Sequence, residues 1–163
     1  RKRLDDDPDV SLVTVVRSAN PNRPGVAADS LLLTPGVLED IDLVILGDME
    51  GGYLADEEYS ALTRWVGEEG HALMVLGGYR SFGPSGFRST PLAGVLPVVF
   101  ADGPLQQSEV PFTMALTETG KRHPIFKLGD DSVAGSLRWD TAPQLAGCCR
   151  VKEAKAAAEG FKV

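Results

Sequence analysis

Hydrophobic positions fall into short runs separated by polar stretches rich in glycine and proline. "VSLVTVVR" (10–17) is a β-branched run of strand length, apolar enough to be covered on both faces. Before it, "RKRLDDDPD" reads as the tail of a helix that Pro8 stops. The polar "SANPNRPGVAAD" after it reads as a loop. Within "LEDIDLVILGDME" (38–50), Leu43 to Leu46 form a second buried strand ending at Gly47-Asp48.

The clearest helix follows. Asp56 suits the N-cap, Glu57 and Glu58 favour the first turn, and Tyr59, Leu62, Thr63 and Val66 share one face. Gly67 or Gly70 ends it, and "ALMVLGG" resumes as a strand. Residues 43 to 78 thus read as strand, helix, strand, the unit that builds parallel sheets. "STPLAGVLPV" predicts a short helix, with Ser89 or Thr90 as cap, Pro91 at the first helical position and an end near Pro97. Beyond residue 100, "EVPFTMALT" (109–117) and "QLAGCCRV" (144–151) read as strands joined by the loop "ETGKRHPIFKLGDDS". "EAKAAAEGFKV" fits either a helix or a turn into another strand.

With 163 residues, the chain suits one domain spanning 1–163, large enough to bury about 70% of its unfolded surface. It opens on Arg1 rather than Met, so it is expected to be part of a longer protein. A formal charge of −7 argues against duplex nucleic acid as a partner. No apolar run is long enough to span a bilayer. The cysteines, Cys148 and Cys149, are adjacent and cannot form a disulfide framework. His71 and His123 are the only histidines, and neither has zinc-ligand spacing, so no metal and no cofactor is expected.

The stretch from "DIDLVILGDMEGG" through "HALMVLGGYRSFGPSGFRSTPLAGVLPV" resembles the class I glutamine amidotransferase-like domains found in large bacterial proteins with von Willebrand factor A modules. The resemblance rests on strand ends "LGD" and "LGG", a helix ending "WV…G", then "SFGPSGF" and "TPL…LPV". "TGKRHPIF" and "RWDTAPQLAG" extend it over roughly residues 4 to 155. It implies a flavodoxin-like α/β fold: a mostly parallel sheet with helices on both faces, here lacking its first strand. It also implies a soluble domain working beside other domains of its parent protein, with membrane anchoring of that parent as one option.

A catalytic class I amidotransferase needs a cysteine on the elbow after the strand, with oxyanion donors beside it and a histidine to make the thiolate. Here Gly77, Gly78 and Tyr79 occupy the elbow, so the nucleophile is absent. Ser81 is the first substitute. With Asp102, Asp130 or Asp131 and His123 it follows the Ser…Asp…His order of α/β-hydrolases, although serines in such loops more often bond their own backbone. Cys148 or Cys149 with His123 is the second, in reversed chain order and inside a strand, where a thiol usually acts as a small hydrophobe.

His123, before Pro124, is expected at a loop corner, where its ring either faces the cleft or bonds backbone. His71 is expected to face solvent. Ligands of open sheets sit beyond the strand ends, so Asp48, Glu50, Gly78, Tyr79, Arg80 and Ser81 are the expected ligand-binding set. An Asp–Arg pair there would equally serve to hold two loops together. The glycine loop has neither dinucleotide nor Walker A spacing.

The expected function is therefore a non-catalytic amidotransferase-like domain that binds a ligand or protein. The alternatives are a hydrolase using Ser81 and His123, or a structural scaffold. Self-association through an exposed sheet edge is a further expectation.

Overall fold

Two strands, β1 (Leu43–Gly47) and β2 (Ala72–Leu76), run parallel in the computed structural model, with Leu43 opposite Ala72 and Gly47 opposite Leu76. The structure describes residues 4, 6–17, 33–79, 81–103, 107–126, 139, 142–155 and 161–162. The one-turn α1 (Pro35–Leu38) precedes β1, and α2 (Asp56–Gly67) runs between the two strands. The strand–helix–strand unit read from the sequence is therefore present.

Its core lies on one side of the β1–β2 pair. Val44 and Leu46 of β1 pack with Leu38, Leu54, Tyr59, Leu62 and Trp65, and with Phe87, Leu92 and Leu96 from the segment after β2. Helix periodicity explains the choice, since Glu58, Tyr59, Leu62 and Trp65 fall at i, i+1, i+4 and i+7. Thr63 and Val66, expected on this face, are only half-buried, and Trp65 takes the central place. The Trp65 indole N–H donates to the Leu38 carbonyl at 3.1 Å, fastening α2 to α1. Its ring stacks on His71 at 4.5 Å between centroids, which partly covers a histidine expected to face solvent.

Cap positions differ by one residue from expectation. Ala55 occupies the N-cap and Asp56 is already helical. Glu58 reaches back to accept the Ala55 N–H at 2.9 Å, half of a capping box, because alanine has no oxygen to return the bond. At the other end Gly67 is the last helical residue, and Gly70 turns the chain with φ +80°.

The flavodoxin-like expectation is overturned. Among the described residues every sheet has two strands, and only β1–β2 is parallel. β3 (Val98–Phe100) pairs antiparallel with β7 (Val151–Ala154), β4 (Gln107–Ser108) with β6 (Cys148–Cys149), and β5 (Ala115–Leu116) with β8 (Phe161–Lys162). Nor are there helices on both faces: Leu43, Ile45, Met74 and Leu76 line the second face of the parallel pair and are exposed. Strand periodicity explains this division, because each of these residues alternates with an inward neighbour.

Other expectations are corrected locally. Residues 10–16 are not in a strand and join no ladder, and most of them are exposed. The helix expected over "STPLAGVLPV" is instead a pair of 3₁₀ turns, Phe87–Ser89 and Pro91–Gly94. Thr90 between them is extended, as the residue before a proline tends to be. The strand expected over 109–117 is reduced to β5 and an isolated bridge from Phe112 to Leu145. The loop over 18–29 and the segment 127–138 fall outside the described residues.

Candidate functional site

The carboxyl ends of β1 and β2 meet the glycine-rich loop in one knot of backbone contacts. Asp48 leaves β1 with φ +41°, the left-handed region that aspartate tolerates better than most residues. Its N–H donates to the Leu76 carbonyl at 3.0 Å. The Gly51 N–H donates to the Ser85 carbonyl at 2.7 Å, tying the loop after β1 to the loop after β2.

Glycine is required at 77 and 78 for space. A Cβ on Gly78 would overlap the Asp48 carboxylate, and one on Gly77 would stand 2.7 Å from the Phe82 ring and 3.0 Å from the Cys149 sulfur. The two glycines thus let Asp48, Phe82 and Cys149 converge on the strand end.

Within this knot Ser81 is sealed, with 0% of its surface exposed. Its hydroxyl oxygen accepts the Gly78 N–H at 3.2 Å, and its carbonyl accepts the Phe87 N–H at 2.8 Å. The serine closes a local turn, which is the loop-bonding use weighed for it from sequence.

Cys149 arrives from β6 and donates its thiol to the Gly78 carbonyl at 3.4 Å. Burial pushes its pKa up, and the neighbouring Cys148 and the Asp48 carboxylate push the same way. The thiol is held protonated, the opposite of the electropositive setting that activates a cysteine.

His123 stands elsewhere, exposed at the corner between two 3₁₀ turns. Its Nδ1 accepts the Ile125 N–H at 3.3 Å, and its ring packs against Phe126. Phe126 in turn packs edge-on against Trp139, whose indole N–H donates to the Phe126 carbonyl at 2.7 Å. No hydrogen bond joins His123 to Ser81 or to either cysteine. Asp102 is committed to Arg88 at 3.8 Å and Lys152 at 3.9 Å. Asp130 and Asp131 lie outside the described residues, as does Arg80 of the expected ligand set.

Of that set, Asp48, Gly78 and Ser81 converge, Tyr79 projects beside them with its ring exposed, and Glu50 is half-buried on the loop that follows Asp48. Phe82 packs at the glycine turn, as its place in the loop suggests, whereas the approach of Cys149 has no signal near it in the sequence. The alternation in "GCCR" does say that one cysteine turns inward, but not which strand end it meets. Among the described residues, no group of three or more His, Cys, Asp and Glu side chains is placed to hold a metal ion. A shallow depression of about 550 Å³ lies on another surface, lined by Pro35, Asp56, Glu57, Ser60, Ala61 and Arg64. No helix among the described residues is long and apolar enough to cross a membrane.

In comparisons with known proteins, no family model matches the chain, and no curated protein is significantly similar to it.

Proposed function

We propose that this chain is a non-catalytic, amidotransferase-like binding domain that works through contacts with a ligand or with other domains of a larger protein. The observation that carries the reading is the state of the elbow loop. Ser81, the serine that the sequence offers in place of the missing cysteine, is sealed and its hydroxyl accepts the Gly78 N–H, with no base bonded to it among the described residues. A nucleophile must reach its base within hydrogen-bond distance and face the substrate. Ser81 does neither, and Cys149 is kept neutral and tied to a backbone carbonyl.

Among the described residues of the expected ligand set, Asp48 and Tyr79 are the exposed side chains at the strand ends. These can hold a cationic or aromatic group but cannot by themselves break an amide bond.

The test is hydrolysis of glutamine and of activated esters by the wild-type chain and by Ser81→Ala, Cys149→Ala and His123→Ala. Rates at the buffer background throughout are expected. Turnover that disappears in Ser81→Ala or His123→Ala would make the protein a hydrolase and end this reading.

A further inference from the structure

The amino-terminal arm, Leu4 to Val16, is chemically unlike a solvated tail. Its last seven residues, Val10 to Val16, read V-S-L-V-T-V-V, yet Val13 is 61% and Val16 71% exposed. Among the described residues the arm's hydrogen bonds are local: Asp7 N–H to the Leu4 carbonyl, Asp9 N–H to the Asp7 carboxylate and Val10 N–H to the Asp7 carbonyl. Among the described residues, 11–16 form no backbone hydrogen bond to the rest of the fold. The arm is fastened at its end, where Arg17 reaches the Tyr53 carbonyl and the Glu58 carboxylate.

A matching vacancy exists in the sheet. Among the described residues β1 and β2 pair only with each other, so each keeps an edge of N–H and C=O groups that no described strand covers. One face of that pair carries exposed Leu43, Ile45, Met74 and Leu76, where the apolar residues of an added strand would continue the surface.

We propose that Val10–Val16 is an exchange strand that adds to the open edge of the β1–β2 sheet of a second copy of this chain. Tethered at Arg17, the arm leaves its own sheet edge unpaired; the edge of a second copy is free of that tether. Seven residues of extended chain span about 23 Å, enough to cover a five-residue edge. Because each copy both gives and receives an arm, the contact forms twice. Its total burial is then on the order of 1,200 Å², the lower end for a specific pair. The dimer is accordingly weak and concentration-dependent. This inference is independent of the binding function proposed above.

The experiment is sedimentation equilibrium of the full chain, thiols reduced, over about a hundredfold range of concentration. The variants are Thr14→Pro, which removes an N–H and blocks pairing in mid-arm, and Val13→Lys. Among the described residues no hydrogen bond ties residues 10–16 to the rest of the fold, so both variants should keep the wild-type circular dichroism and melting temperature at low concentration. The expected result is a wild-type mass rising toward twice the monomer, with both variants monomeric throughout. A wild type that stays monomeric overturns the proposal, including the case where residues 10–16 are protected from amide exchange by docking on their own chain. So does a dimer that persists in Thr14→Pro, because some other face would then hold it.

Discussion

Arg17 and Glu58 form a two-pronged ion pair, with guanidinium nitrogens 2.7 and 2.6 Å from the two carboxylate oxygens. The same carboxylate accepts the Leu33 N–H at 3.0 Å and the Ala55 N–H at 2.9 Å, so one side chain joins three separated pieces of chain. Side-chain exposures of 16% and 6% place the pair where removing one partner leaves the other poorly hydrated. Glu58→Ala is expected to lower unfolding free energy by about 3 kcal/mol. Arg17→Met should cost less, because Glu58 keeps its two backbone donors. Urea denaturation of the two variants checks the order.

The same pair sets the acid limit of the fold. Burial pushes the Glu58 carboxyl up, but the Arg17 bond, the Ala55 and Leu33 N–H groups and the Arg17 charge together outweigh it, leaving the group below its ordinary value of 4.5. A carboxyl with a depressed folded-state pKa binds more protons when unfolded. Its stabilisation is therefore present above the ordinary value and disappears as pH falls through the folded value. Melting temperature should decline below about pH 4.5. Glu58→Gln should start lower and show a flatter acid limb; an identical slope in both proteins would remove Glu58 from this role.

Trp65 joins two layers, through its bond to the Leu38 carbonyl and its stack on His71. Trp65→Phe keeps much of the packing and leaves that carbonyl with the Ile41 N–H at 3.2 Å as its remaining donor, so it should cost about 1 kcal/mol, the worth of one hydrogen bond. Trp65→Ala adds a cavity and should cost about 3–5 kcal/mol. Thermal unfolding that ranks the two equally would mean that packing is the smaller part of the tryptophan's contribution.

The strand–helix–strand unit was legible because its signals are local. "LVIL" and "ALMVL" are short apolar runs, and α2 combines an acidic first turn with 3.6-residue periodicity. "VSLVTVVR" carries an equally strong local signal, yet it joins no ladder, because pairing depends on an edge that the segment's own composition does not specify. Pro91 promised a helix start, but the glycines and prolines around "PLAG" support only a 3₁₀ turn. At the site, the lack of a cysteine in the loop after β2 could be read directly. The approach of Cys149 to Gly78 joins residues 71 positions apart, and no local pattern encodes it.

Cys149 should behave as a half-buried neutral thiol. Burial, Cys148 and Asp48 all raise its pKa, so it should resist alkylation in the native protein at neutral pH. Its reaction should appear only at alkaline pH or once denaturant opens the fold. Peptide mapping after iodoacetamide treatment at several pH values separates Cys149 from Cys148. Rapid labelling of Cys149 near pH 7 would contradict the hydrogen bond to Gly78.

Gly78 and Asp48 should be energetically coupled, because the space a Cβ would take at 78 is filled by the Asp48 side chain. Gly78→Ala must displace either the carboxylate or the strand end, at an expected cost of about 1–3 kcal/mol. Asp48→Gly removes that obstacle and also relieves the φ of +41°, so alone it should be nearly neutral. In the double variant most of the Gly78→Ala penalty should vanish. A cycle with coupling of about 1 kcal/mol or more would verify the contact, whereas simple additivity would show that residue 78 clashes with something other than Asp48.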